Sequence, residues 1–117
     1  RREALLEVAK KQEEKEAFNA VVAAMNDDSY KIRILALEKI DLINKFSKKD
    51  AIRKIMTIAN TDVKTLVQAE AINTLGKLTD PELKSIFAKN ANKKKRLLNS
   101  IYYYFKQHLY LTQLNLH

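Results

Sequence analysis

The side chains that most often perform catalysis or bind metal ions are scarce in this chain. Both histidines, His108 and His117, lie near the carboxyl end, and no Asp or Glu follows Glu82. A local zinc site of histidines and a carboxylate therefore cannot be built from them. The absence of cysteine removes disulfides, thiolate metal sites and cysteine nucleophiles. We expect no catalytic residue, no cofactor-binding residue, no metal ligand and no enzymatic activity from this chain alone.

The serines and one acidic cluster have simpler structural explanations. Ser29 and Ser47 lie where helices are expected to begin, and serine there commonly accepts a hydrogen bond from the helix backbone. Glu13, Glu14 and Glu16 lack the spacing of a calcium-binding loop. We interpret the serines as helix caps and the glutamates as a solvated helix start.

Positive charge is concentrated at the carboxyl end. The net charge is +8; residues 93–117 hold five basic residues and no acid, whereas residues 1–92 hold 17 basic and 14 acidic residues. The basic run 93–96 and the aromatic residues 102–105 could contact phosphates and bases. A nucleic acid footprint should extend along the body, however, where acids and bases are interspersed. We treat residues 93–117 as a basic, aromatic-rich tail that forms a terminal helix, and we expect no nucleic acid partner.

The elements that must position these residues are helices. Apolar residues recur at spacings of three and four along residues 1–92. Helices are expected over residues 2–9, from about residue 14, after residues 26–29, after Ser47 or Asp50, after Thr61 or Asp62, and after Asp80-Pro81. Residues 10–16 form either a turn or the exposed middle of one longer helix. No apolar run is long enough to span a membrane, so we expect no membrane partner.

The helices form pairs that repeat with a period near 35 residues. A shift of 35 positions aligns Asp27 with Asp62, Ile32 with Val67, Ala36 with Ala71, Leu37 with Ile72, and Ile40 with Leu75. A shift of 34 aligns the preceding helices, with Phe18 on Ile52, Val21 on Ile55 and Met25 on Ala59. One helical hairpin cannot bury its apolar face alone, whereas stacked hairpins share a continuous core. We expect the two alanines where helices cross closely.

The second helix of each pair resembles that of a HEAT repeat. The shared pattern is an acidic turn, an apolar-Arg pair, an alanine and a further apolar residue, here Asp27, Ile32, Arg33, Ala36 and Ile40, then Asp62, Val67, Gln68, Ala71 and Leu75. The resemblance implies an all-α fold, a HEAT-like α-α superhelix, in which Arg33 meets the carboxylate of Asp62. Gln68 departs from the pattern, which puts a second link in doubt. The alternative is an unrelated helical bundle with hairpins of similar length.

Four segments are similar to the C-terminal helical-repeat region of bacterial aminopeptidase N-like zinc metallopeptidases. They are residues 1–5, 29–38, 64–71 and 76–81, within a likeness that covers residues 1–92. In that family this region packs against the catalytic domain and helps to enclose the route to the active site. The family's His-Glu-x-x-His helix, downstream Glu ligand and Gly-x-Met-Glu-Asn strand do not occur here. Zinc is therefore expected only in the catalytic domain of a parent protein.

The sequence favours a non-catalytic domain of such a peptidase, with the rest of its own parent chain as the partner. The alternatives are a free-standing HEAT-type scaffold that binds another protein and, third, a nucleic-acid-binding repeat. Because the chain begins with Arg1 rather than Met, we expect it to be a piece of a longer protein. A solenoid cut from its parent exposes an apolar flank. We expect Leu5, Leu6 and Val8 to form that flank and the isolated piece to self-associate.

Overall fold

Five helices make up the described part of the chain. A computed structural model describes residues 1–43, 46 and 48–78. The helices are α1 (Arg2–Ala9), α2 (Lys15–Ala24), α3 (Tyr30–Lys39), α4 (Lys48–Thr61) and α5 (Thr65–Leu75). These ranges contain no strand, in agreement with the all-α prediction. The predicted cap Ser47, the helix predicted after Asp80-Pro81 and the tail 93–117 lie outside the described residues.

A turn separates α1 from α2. Lys11 N–H donates to the Val8 carbonyl at 3.0 Å, and Glu14 N–H donates to the Lys11 carbonyl at 2.9 Å. Glu14 then adopts an extended backbone, with φ −86° and ψ 132°, which interrupts the helical path. The charged stretch is thus a turn, not the middle of one long helix. This turn lets α2 fold back and pack against α1.

Aspartates, not the predicted serine, organise the starts of α3 and α5. Ser29 occupies the N-cap position of α3, but its side chain makes no capping hydrogen bond. Instead, Asp27 Oδ1 accepts a hydrogen bond from Ser29 N–H at 2.8 Å. Asp62 Oδ1 accepts one from Lys64 N–H at 2.9 Å in the same way. The predicted capping role of Ser29 is wrong, because an aspartate readily closes a turn on the backbone two residues ahead.

The start of α4 agrees with the first of its two predicted positions, after Ser47 or after Asp50. The helix begins at Lys48, which places Asp50 within the first turn instead of at the cap. A carboxylate in this position still interacts favourably with the positive end of the helix dipole. Asp50 is therefore compatible with the helix start although it does not define it.

The aligned repeat positions form the centre of one hydrophobic core. Ala36 and Ala71 have no exposed surface, as expected for alanines at close helix crossings. Ten other aligned residues are also buried in this core: Phe18, Val21, Met25, Leu37, Ile40, Ile52, Ile55, Ala59, Val67 and Leu75. Ile32 and Ile72 are only partly buried, so the two hairpins are similar at the core without being identical.

Helix α3 lies at the centre of the described helices, in contact with α1, α2 and α5. Side chains near its start reach the turn before α5, and side chains near the end of α5 reach the end of α3. Helices α3 and α5 therefore run in the same direction. Arg1 reaches the turn before α3 and Gln12 reaches the end of α3, so α1 runs in this direction too. Helices α2 and α4 return the chain between them.

The end of α3 has no glycine cap, and its last carbonyls are bound by other groups. Ile40 is extended, and its N–H donates to the Ala36 carbonyl at 2.9 Å. The next three carbonyls accept from side chains: Leu37 O from Thr74 Oγ1 at 2.7 Å, Glu38 O from Lys77 Nζ at 3.2 Å, and Lys39 O from Gln12 Nε2 at 2.7 Å. The carbonyls of residues 37–39, which the helix cannot satisfy internally, thus all have partners.

The apolar flank predicted on α1 is smaller than expected. Leu5 is only 7% exposed and belongs to the core, and Leu6 and Val8 are partly buried against it. The prediction for Leu5 is wrong because α2 and α3 both pack on α1, which the spacing of its leucines does not reveal. Within the described ranges, the large apolar residues that are exposed lie elsewhere: Ile43, Phe46, Val63 and Leu66.

Candidate functional site: the turn ladder

One largely buried arginine joins the turn before α3 to the turn before α5. Arg33 Nε donates to Asp62 Oδ2 at 2.9 Å, and Arg33 Nη2 donates to Asp62 Oδ1 at 3.0 Å. Arg33 Nη1 donates to the carbonyls of Asp27 and Asp28 at 2.9 and 3.2 Å. The guanidinium therefore holds its own turn through two carbonyls and the next turn through a carboxylate. The contact predicted between Arg33 and Asp62 is present.

The electrostatic setting of this pair differs from that of a surface ion pair. The side chains of Arg33 and Asp62 are only 12% and 8% exposed. Two parallel hydrogen bonds between a guanidinium and a carboxylate are among the stronger polar contacts in proteins. Their geometry offsets the cost of taking both charges out of water. Because the guanidinium makes four hydrogen bonds, its role here is structural.

Asp27 and Asp62 play equivalent parts in their two turns. Each uses Oδ1 to accept from the backbone N–H two residues ahead, at 2.8 and 2.9 Å. Each also binds an arginine that lies near the start of the parallel helix before it: Nη1 of Arg1, the N-cap of α1, lies 3.0 Å from Asp27 Oδ1 before α3, and Arg33 of α3 binds Asp62 before α5. The Arg1 side chain is 67% exposed, so the ion pair of Arg1 and Asp27 is weaker than that of Arg33 and Asp62. We call the set Arg1, Asp27, Arg33, Asp62 and Gln68 the turn ladder.

Gln68 reproduces one half of what Arg33 does. Its Nε2 donates to the Asp62 carbonyl at 2.8 Å, as Arg33 Nη1 donates to the Asp27 carbonyl. The glutamine side chain is too short to reach a further carboxylate as the guanidinium does. It also carries no charge with which to bind one. The residue 35 positions beyond Asp62 is Leu97, which offers no carboxylate. The sequence departure at Gln68 therefore preserves the bond within its own turn and drops the charge.

A second set of polar links, at the other end of the helices, was not predicted from the sequence. Gln12 is buried; its Nε2 donates to the Ala9 and Lys39 carbonyls, and its Oε1 accepts from Asp41 N–H at 2.8 Å. Thr74 is fully buried and joins α5 to α3 through its hydroxyl. Gln12 sits within a charged stretch, which gives no signal for burial. Thr74 lies on the inward side of α5, three residues after Ala71. A polar residue at such a buried position is expected to have a hydrogen-bond partner, and this is the sequence signal that could have identified it.

Over residues 1–43, 46 and 48–78, no three His, Asp or Glu side chains lie together in a way that could hold a metal ion. None of the helices over this part of the chain combines the length and the apolar character needed to cross a bilayer. His108 and His117 lie outside the described residues. The expectations of no cofactor and no catalysis stay predictions.

Comparison with protein-family models, with curated proteins and with solved structures finds no significant match to this chain.

Proposed function

We propose that the chain forms a HEAT-like α-α superhelix of stacked helical hairpins and acts without catalysis, by presenting a shaped surface to protein. The observation that carries this proposal is the pair of Arg33 and Asp62, which joins two turns of equivalent geometry. HEAT arrays link neighbouring repeats through an arginine and a turn aspartate of this kind. An unrelated bundle gives no reason for Asp27 and Asp62 to share both their backbone contact and their arginine partner.

The parent protein proposed for this domain is an aminopeptidase N-like zinc peptidase. The support is the sequence resemblance over residues 1–92, which is carried by residues 1–5, 29–38, 64–71 and 76–81. In this role the domain packs on the catalytic domain and shapes access to its site. The zinc ion and the catalytic residues belong to the parent's catalytic domain, so the chain needs no cofactor of its own.

Sequencing the coding DNA upstream of the Arg1 codon tests this assignment. A His-Glu-x-x-His motif followed by a downstream Glu, in the same reading frame, is the expected result. The catalytic part could then be produced separately and should bind the chain in a titration. A complete upstream reading frame without that motif would contradict the peptidase assignment.

A free-standing HEAT-type scaffold for another protein is the second candidate. The observation that favours it is the exposure of Val63 and Leu66, which are 90% and 65% exposed. The positions 35 residues earlier hold Asp28 and Lys31, so these apolar side chains are not required by the repeat itself. These two positions can hold charged residues in the repeat, yet here they expose apolar side chains. Exposed apolar side chains of this kind suit a contact with another protein. A start codon directly before Arg1 would favour this candidate.

A further inference from the structure

Helix α4 separates its apolar residues from the rest of its surface more completely than any other described helix. All six of its apolar residues are buried: Ala51, Ile52, Ile55, Met56, Ile58 and Ala59. Every residue of α4 that retains exposure is polar or charged. In contrast, α2 exposes Ala20 and Ala23, and α5 exposes Leu66 and Ala69. The outer face of α4 therefore offers charge and hydrogen bonding without apolar area.

This outer face is strongly basic. Helix α4 carries four cations against one acid, Asp50. Asp50 lies 3.7 Å from Arg53, with the two side chains 79% and 55% exposed, so this pair is weak and leaves Arg53 available. In contrast, the charged residues of α2 are Lys15 and Glu16, whose opposite charges cancel. The described acids and bases are thus interspersed in sequence yet unevenly distributed over the helices.

The chemistry of the face selects among polyanionic partners. Protein interfaces have an apolar core, and helices that lie on a membrane bury an apolar face. The outer face of α4 has no apolar side chain for either kind of contact. The hydroxyls of Thr57 and Thr61 already donate to the carbonyls of Arg53 and Thr57, at 3.0 and 2.7 Å. Apart from the partly exposed Asn60, the cations are consequently the groups left to bind an acceptor such as phosphate. No aromatic residue occurs in α4, which removes the stacking that single strands use.

We propose that Lys49, Arg53 and Lys54, on the outer face of α4, bind the phosphate backbone of a nucleic acid duplex. This function goes beyond the packing role proposed above and does not depend on it. Acids and bases are interspersed along the sequence of the body, but on α4 four cations face a single acid. Since the contacts are ionic and involve no base edge, binding is independent of base sequence and strongly dependent on salt.

Fluorescence anisotropy of a labelled DNA duplex of about 20 base pairs, titrated with the full chain, tests the proposal. Any base sequence can be used, because phosphate contacts do not depend on it. Three phosphate contacts change log K by about 2.7 per tenfold change in salt, so raising salt from about 50 to about 200 mM weakens them about 40-fold. The variant with Lys49→Gln, Arg53→Gln and Lys54→Gln should lose this part of the salt dependence. Its unfolding midpoint should match that of the wild type, because the three side chains are not in the core.

The matched control is the variant with Lys10→Gln, Lys11→Gln and Lys15→Gln, which removes the same net charge from the turn after α1 and the first residue of α2. It should keep the wild-type salt dependence. An equal loss in both variants would overturn the proposal, since binding would then follow total charge. Absence of duplex binding by the wild type, or tighter α4-dependent binding of a poly-glutamate peptide of equal charge, would overturn it too.

Discussion

Replacement of Arg33 by glutamine should destabilise the fold through one specific contact. The shorter amide can still donate to the Asp27 carbonyl, as Gln68 donates to the Asp62 carbonyl. What disappears is the guanidinium that faces Asp62, whose side chain is 8% exposed. Removing one partner of a buried ion pair costs about 3–5 kcal/mol. Because the Asp62 carboxylate keeps its bond from Lys64 N–H and both side chains retain some exposure, we expect a cost at or just below the lower end of that scale, about 2–3 kcal/mol.

A double-mutant cycle isolates the contact between the turns. Asp62→Asn retains an oxygen that can accept from Lys64 N–H but loses the charge that pairs with Arg33. The double variant leaves no buried charge unpaired, so its loss of stability should be smaller than the sum of the single losses by about 1–2 kcal/mol. Urea denaturation of the full chain, followed by circular dichroism, gives these free energies of unfolding.

The surface pair of Lys10 and Glu7 supplies the control for this cycle. Its atoms are 3.2 Å apart, close to the distances in the buried pair, but its side chains are 71% and 70% exposed. Lys10→Gln should therefore change the free energy of unfolding by at most about 0.5 kcal/mol. If Arg33→Gln costs no more than Lys10→Gln, or if the Arg33 and Asp62 changes are additive, the reasoning about the turn ladder is refuted.

Three further predictions concern other parts of the described chain. Ala71→Leu should overpack the helix crossing and cost about 1–3 kcal/mol in urea denaturation, whereas the exposed Ala20→Leu should cost at most about 0.5 kcal/mol. Thr74→Val keeps the side-chain shape but leaves a buried carbonyl of α3 without its hydroxyl donor, so the unfolding free energy should fall by about 1–2 kcal/mol. Val63→Lys with Leu66→Lys should leave stability unchanged and reduce any self-association seen by sedimentation.

Much of the fold follows from the spacing of residues along the chain. The shift of 35 residues placed Asp27 with Asp62, and these two aspartates make equivalent backbone contacts. The resemblance to a HEAT repeat implied that Arg33 meets the turn carboxylate of the next hairpin, and the ion pair forms there. Such features are predictable because a repeat fixes both the local helix and the position of its neighbour.

Other features depend on which helices meet, which spacing alone does not specify. Leu5 was expected at an open flank but is buried, because α2 and α3 both pack on α1. Gln12 and Thr74 bind carbonyls of α3 that lie 27 and 37 residues away in the chain. Ser29 has the right position for a cap, yet Asp27 closes the turn instead. In each case a tertiary contact or a competing side chain decided the outcome.

The exchange rate of the Arg33 Nε proton, measured by NMR on the full chain, tests the turn ladder most directly. This proton points at Asp62 Oδ2 and is largely shielded from water. We predict that it exchanges much more slowly than the Nε proton of the exposed Arg53, and that Asp62→Asn abolishes the difference. Equal exchange rates for Arg33 and Arg53 in the wild type would contradict the claim that a buried ion pair links the two turns.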